Sequence, residues 1–351
     1  MRTTVARLVA VSLLLAACNG AAEEPAESST TAAPSSTTSS TSTSSTTSTS
    51  TPTTVDARET SLLNGLPVDD PTLLDRRVMA VKIDNHERAN PQSGINLADM
   101  VIELNVEGIT RFISLWHESD SDYLGPNRSA RPTDAALLPA FNEPTFVFSG
   151  GQGWVQNMVS AAGINMIKEG SEGTFRISSR RAPHNLYVDT FVLRNTADER
   201  GYADNPPEGP MWEFGPLEPT RTASEVDIEF RENDHVVWTW DDTQGLWLRT
   251  AKGRERMYRD EDGTEGRIGF PVLVALYTEP YTVNGLPSSI TTGQGQAFVF
   301  ADGMVAEGTW ERETETDWFT LRTESGSVMA VPPGQSWVSL VPSNRGLAIT
   351  E

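Results

Sequence analysis

From Ser28 to Thr54 every residue is serine or threonine except Ala32, Ala33, Pro34 and Pro52. Such a run has no large apolar side chain to bury, so it cannot offset the entropy lost on ordering and stays solvated. The fold is thereby confined to the C-terminal remainder of the chain, about 295 residues, enough for one large domain or two ordinary ones. As a coil, the roughly 36 residues between Cys18 and Val55 reach about 35 Å, and near full extension about 110 Å. The run reads as a tether that lifts the fold off a surface, or simply as a spacer.

Ahead of it, Arg2 and Arg7 lead into an apolar stretch that closes with Leu13-Leu14-Leu15-Ala16-Ala17-Cys18. A charged start, a short apolar core and small residues before a cleavage point describe a secretory signal, too short to span a bilayer permanently. Cys18 is the only cysteine of the chain. Its place after Leu-Ala-Ala predicts cleavage of residues 1–17 and acylation of the thiol, as in bacterial lipoproteins, and two or three acyl chains hold a protein on a membrane far longer than one. The competing reading is an ordinary signal with a chance cysteine. With no second thiol there is no disulfide, and the folded part holds neither thiolate zinc sites nor cysteine nucleophiles.

Without Arg2 and Arg7 the chain carries 25 basic and 48 acidic residues, a formal net charge of −23. A surface so acidic repels nucleic acid and anionic lipid heads, which excludes nonspecific DNA binding and a polybasic membrane grip. No later stretch reaches the roughly 20 apolar residues needed to cross a bilayer. The expected place of work is the outer face of the cell membrane, held there by lipid on Cys18.

The pattern divides the chain into a signal (1–17), a tether (18–60), a mixed α/β domain (61–205), a proline-rich connector (206–222) and a smaller, mostly antiparallel β domain (223–351), an α+β protein overall. Val78-Met79-Ala80-Val81-Lys82-Ile83 is a buried strand, apolar except for Lys82, and it ends at Asp84-Asn85-His86. Strands come next at Met100 to Val106 and Thr110 to Trp116 around a Glu107-Gly108 turn. A helix starts at Pro132, which suits a first helical position. A strand at Thr145 to Ser149, a helix from Trp154 to Ala162, a strand at Asn165 to Ile167 and a helix near Thr190 to Asp198 complete this half. Beyond the connector the chain reads as strand, with a hairpin around Asp241 to Gly245, an Asp302-Gly303 turn, and closing strands at Val328 to Val331 and Trp337 to Val341.

Arginine falls oddly in so acidic a chain. Arg128 and Arg131 stand just before the Pro132 helix, where guanidinium forks and helix amides together would hold phosphate or carboxylate. The run Phe175 to Tyr187 adds Arg181, His184 and Asn185, and Arg111 lies on a strand able to neighbour either group. Against this stands the reading that the arginines neutralise buried carboxylates such as Asp84, Glu103, Asp134 or Asp189. A second set, Asp84, Glu103 and Glu107, lies near strand ends, where paired acids serve glycan cleavage as hydrolase or lyase. Asp84-Asn85-His86 offers possible metal ligands, but no His-x-x-x-His or His-Glu-x-x-His spacing is present, so neither metal nor cofactor is expected. No Gly-x-Ser-x-Gly elbow occurs. Trp238 and Trp240 share one strand face, where rings either stack on sugar or fill a core.

Several runs carry a resemblance. Asn64-Gly65-Leu66-Pro67-Val68, Val81-Lys82-Ile83-Asp84-Asn85, Pro91-Gln92-Ser93-Gly94, Glu107-Gly108-Ile109-Thr110-Arg111-Phe112, Gly125 to Asp134 and Ala182-Pro183-His184-Asn185-Leu186-Tyr187 resemble the YerB-like family of bacterial lipoproteins. Gly308-Thr309-Trp310 and Gly334-Gln335-Ser336-Trp337-Val338 resemble its smaller C-terminal domain. The resemblance covers nearly everything after residue 62 and implies two domains but no reaction. It also implies a small apolar residue where Asn127 stands. The expected function is lipid-anchored binding of peptidoglycan or an anionic wall polymer through Arg111, Arg128, Arg131, Arg181, His184 and Asn185. A glycan-cleaving enzyme and a scaffold for other envelope proteins are the alternatives.

Overall fold

The computed structural model describes residues 58–351; the signal, Cys18 and most of the tether lie outside the described residues. In the first half β1 (Met79–Ile83), β2 (Met100–Asn105), β3 (Thr110–Trp116), α1 (Pro132–Leu137), β4 (Thr145–Phe148), α2 (Gly153–Ala161), β5 (Asn165–Lys168), β6 (Thr174–Arg176), β7 (Leu186–Val188) and α3 (Thr190–Glu199) succeed one another. β2 and β3 form the expected hairpin, Asn105 facing Thr110 across Glu107-Gly108. β1 pairs antiparallel with β3, while β4 joins β1, and β5 joins β4, in parallel. Among the described residues no helix is long and apolar enough to cross a membrane.

The second half builds a six-stranded sheet of its own and also extends the sheet of the first. Strand Ser336–Pro342 lies between β2 and the long strand Val272–Val283, parallel to both, so Val338 is flanked by Ile102 and Val274. Gly293–Ala301, Met304–Arg312 and Thr320–Thr323 add on by antiparallel pairing, giving one twelve-stranded sheet through both halves. The fold is thus sheet-rich with few helices, and β-branched runs cut by turn residues are the local cause. Side chains alternate across the sheet. Met79, Val81 and Ile83 face one way, into a cluster with Val226, Ile228, Trp238 and Trp247 of a six-stranded second sheet. Ala80, Ile102 and Ile113 face the other way and meet Ala135, Leu137, Val155 and Val159 of α1 and α2.

Two expectations change, and one open choice closes. Residues 206–222 are irregular but not loose, because Met211 and Trp212 are buried in the core and the Met211 N–H bonds to Leu62 O at 2.8 Å. No strand forms at 328–331, where Val328 and Val331 make only isolated bridges; Pro332 and Pro333 come directly after, and neither has an N–H for a ladder. Trp238, with Trp247, Trp310 and Trp337, is core and offers no face to a sugar, while Trp240 is partly buried.

Candidate functional site at the end of the parallel strands

Parallel strands β1 and β4 end side by side, and the segment Asn127–Ala130 closes the gap between them. The Arg128 N–H donates to Lys82 O at 2.8 Å, Ser149 N–H donates to Arg128 O at 3.0 Å, and Ala130 N–H donates to Gly150 O at 2.9 Å. Asn127 has a physical reason to be polar: its buried amide donates to Lys82 O at 2.9 Å and Val147 O at 3.0 Å, tying both strand ends. Open sheets with parallel strands present ligand sites beyond such carboxyl ends.

Arg111, on β3, shares the sheet face of Lys82. It is buried, with 6% of its surface exposed, and its Nη1 donates to Ser129 O at 3.0 Å. No carboxylate among the described residues lies within ion-pair distance of it, and its Nε has no hydrogen-bond partner. Burial pushes the Arg111 guanidinium down to about 10, and the nearby charges of Arg131 and Arg128 push in the same direction. Arg131 uses Nε on Glu107 Oε2 at 2.6 Å and Nη1 on Ala130 O at 2.7 Å. Burial opposes ionisation of Glu107, yet this bond and the arginine charges hold it below its ordinary value. Arg128 places Nε 3.2 Å from Asp84 Oδ2, too poorly aligned for a hydrogen bond. The three guanidinium groups therefore keep N–H donors without acceptors among the described residues.

Lys82, the polar exception in β1, pairs with Asp134 Oδ1 at 2.6 Å, both fully buried. Desolvation lowers Lys82 to about 8 against the pull of Asp134, with Arg111 and Arg131 adding repulsion. Asp134 Oδ2 accepts the Arg131 N–H at 2.7 Å and so starts α1. At six residues α1 is too short to supply the amide site expected from the sequence.

Asp84, fully buried just past β1, gathers the rest. Its Oδ1 accepts the His86 N–H at 3.0 Å, and its Oδ2 lies 2.7 Å from His184 Nδ1. The His86 and His184 rings stack at 4.5 Å and 17°. Burial, then the neighbouring His184, hold His86 below its ordinary value. Pro91, Pro126 and Pro183, in the surrounding loops, each come after a cis peptide bond.

The structure thus brings together Arg111, Arg128, Arg131, Asp84, Glu107 and His184, but not the whole expected set. Arg181 is exposed, linked to His184 only by the His184 N–H donating to its carbonyl at 3.0 Å. Asn185 is spent on structure, its carbonyl accepting from Arg176 and its amide donating to Ile177 O at 3.1 Å. Glu103 is buried on the other sheet face, held by Arg249 at 2.6 Å, Thr110 at 2.6 Å and Trp337 Nε1 at 3.0 Å. Arg249 in turn sits among the rings of Phe112, Trp238 and Trp337. Glu103 therefore cannot face Asp84 across a glycosidic bond; a carboxylate on a strand falls to one side or the other by parity, and Glu103 took the core side. Sequence reasoning missed Lys82 and His86 as members. A lysine in an otherwise apolar strand was the available signal.

The geometry defines a sheet-rich chain with a cluster of cations, bordered by a buried Asp–His pair, at the end of its parallel strands. Its two halves match the N-terminal domain (residues 63–203) and the C-terminal domain (residues 226–338) of DUF3048, a protein family of unknown function, and the chain belongs to that family. "Putative lipoprotein YerB" of Bacillus subtilis is 25% identical over 297 residues, 82% of this chain and 88% of that protein. The crystal structure of YerB protein from Bacillus subtilis shares the fold, with a TM-score of 0.73 at 24% identity over 84% of this chain and 100% of that one.

Proposed function

We propose that this protein is a lipid-anchored component of the bacterial envelope that binds an anionic wall component through Arg111, Arg128 and Arg131, with His184 beside them. The lipoprotein name of the Bacillus relative and the Leu-Ala-Ala-Cys18 sequence support the anchor. One observation carries the binding: Arg111 is buried with a single hydrogen bond and no carboxylate partner among the described residues. Buried charges are ordinarily paired, and a guanidinium left with free donors beside two more cations is a receptor for an oxyanion. The bulk charge of −21 does not oppose this, since a local cluster acts over short range and distant surface charge is screened.

The test is calorimetry of the full chain with inorganic phosphate, alongside retention on isolated cell wall. Arg111→Gln should weaken phosphate binding about tenfold or more, as expected for loss of a charge-assisted hydrogen bond. The loss on cell wall should be larger at low salt. Binding by Arg111→Gln equal to that of the unsubstituted chain overturns the reading.

A further inference from the structure

We propose that the same cluster is a hydrolytic site for phosphate esters, in which His184 is the general base and Asp84 its positioning residue. This rests on the anion-binding reading and gives the bound anion a reaction. A receptor alone gains nothing from a buried carboxylate in its wall, because Asp84 subtracts charge where anions are to be held. Asp84 makes sense as the group that orients a histidine.

The hydrogen bonds fix the ring. An ionised carboxylate only accepts, so the proton of His184 sits on Nδ1, 2.7 Å from Asp84 Oδ2. Nε2 then carries the lone pair, and it has no partner among the described residues. Asp84 is held in turn by the His86 N–H on Oδ1 and by Arg128 near Oδ2. His86 covers one face of the His184 ring. Its own Nδ1 accepts the Arg88 N–H at 3.1 Å, which leaves its proton on Nε2. A carboxylate that orients a histidine whose far nitrogen is free is the arrangement a general base needs. Arg128, whose Nε lies 3.2 Å from the same Asp84 Oδ2, brings to the pair a guanidinium suited to the oxygens on which charge builds during phosphoryl transfer.

In the step, a water oxygen bonds to phosphorus while its proton passes to His184 Nε2. The bond from phosphorus to the leaving alcohol oxygen breaks, its electron pair goes to that oxygen, and solvent protonates it. His184 then releases its proton to solvent. One water is consumed, and the products are an alcohol and a phosphate with one ester bond fewer.

The experiment uses the full chain with bis(p-nitrophenyl) phosphate as substrate and inorganic phosphate as the binding probe. The unsubstituted protein should release p-nitrophenolate above the buffer rate. His184→Gln should lower kcat by about 10²–10⁴-fold while phosphate affinity stays within about threefold. His184→Gly should regain turnover when imidazole is added, a response that a merely structural histidine does not give. No release, or release undiminished in His184→Gln and unaffected by imidazole in His184→Gly, overturns the catalytic proposal, and intact phosphate binding in the same samples leaves the receptor reading standing. Absence of phosphate binding together with absence of release removes both.

Discussion

Arg111 and Arg312 are both buried, and burial pushes both guanidinium groups down to about 10. Their surroundings differ. Arg312 stacks on Phe319 and spends its donors on five oxygens: Asp317 O, Thr291 O, Thr291 Oγ1, Ala136 O and Glu315 O. It stands in the wall of a cleft of about 1460 Å³ whose other charged residues, Glu143, Glu208, Glu213, Glu311, Glu313 and Asp317, are all acidic. Arg111 makes one bond, to Ser129 O, and its charged surroundings are the cations Arg131 and Arg128 and the carboxylates Asp84 and Glu107, neither of the latter in ion-pair distance. Burial of a charge therefore does not mark a binding site. Nor do unspent donors alone, since Arg249 keeps two of them beside Glu103; the mark is a buried guanidinium with unspent donors and no carboxylate in ion-pair distance.

The comparison breaks most visibly in stability. Arg312→Met strips five oxygens of their donor and should cost about 2–4 kcal/mol in urea unfolding. Arg111→Met removes a charge that the fold does not pair, and should cost under about 1 kcal/mol or stabilise. Equal losses would show that Arg111 is as structural as Arg312.

A second effect, on the order of 3 kcal/mol over its full window, lies in pH. Lys82 is lowered from 10.5 to about 8 by burial, so between these values the unfolded chain holds a proton that the folded chain has shed. Stability then rises with pH from about 8 to 10.5, and Lys82→Met should flatten that rise in urea melts. Inorganic phosphate among the arginines offsets their repulsion of Lys82 and should move the start of the rise upward. A start that does not move means the anion sits elsewhere.

The smallest effect is expected at Arg181. Its side chain is exposed, so Arg181→Ala should change phosphate affinity less than about threefold and stability by under about 0.5 kcal/mol. A tenfold loss in calorimetry would put Arg181 back in the site.

Much of the strand pattern was legible because it is local. The Asp302-Gly303 turn is one case: both residues adopt positive φ, 52° and 67°, as the tightest hairpins need, and Met304–Arg312 pairs back on Gly293–Ala301 around it. Arg128 and Arg131 were legible as cations close together in sequence. What stayed hidden is non-local. Asp84 bonds His184 from 100 residues away, and Glu103 bonds Arg249 from 146 away. Spacing said nothing of either contact, so Asp84 was grouped with the acids and His184 with the arginines. The neutralising reading holds for Arg128, which stands against Asp84, and for Arg131, which pairs with Glu107, while Glu103 takes Arg249, an arginine outside that set; the receptor reading fits Arg111. The quoted runs that carry the family resemblance, from Val81 to Asn85, Glu107 to Phe112, Gly125 to Asp134 and Ala182 to Tyr187, are the ones that meet at the cluster.

Strand Ser336–Pro342 occupies the seat beside β2, and it is made long after β2 itself. As the polypeptide emerges from its N-terminal end, β2 has its hairpin partner β3 at once, but its other edge stays open until those much later residues arrive. An open strand edge invites pairing with the wrong chain. Biogenesis of this fold is therefore exposed at β2, and that edge is where a chaperone has something to protect.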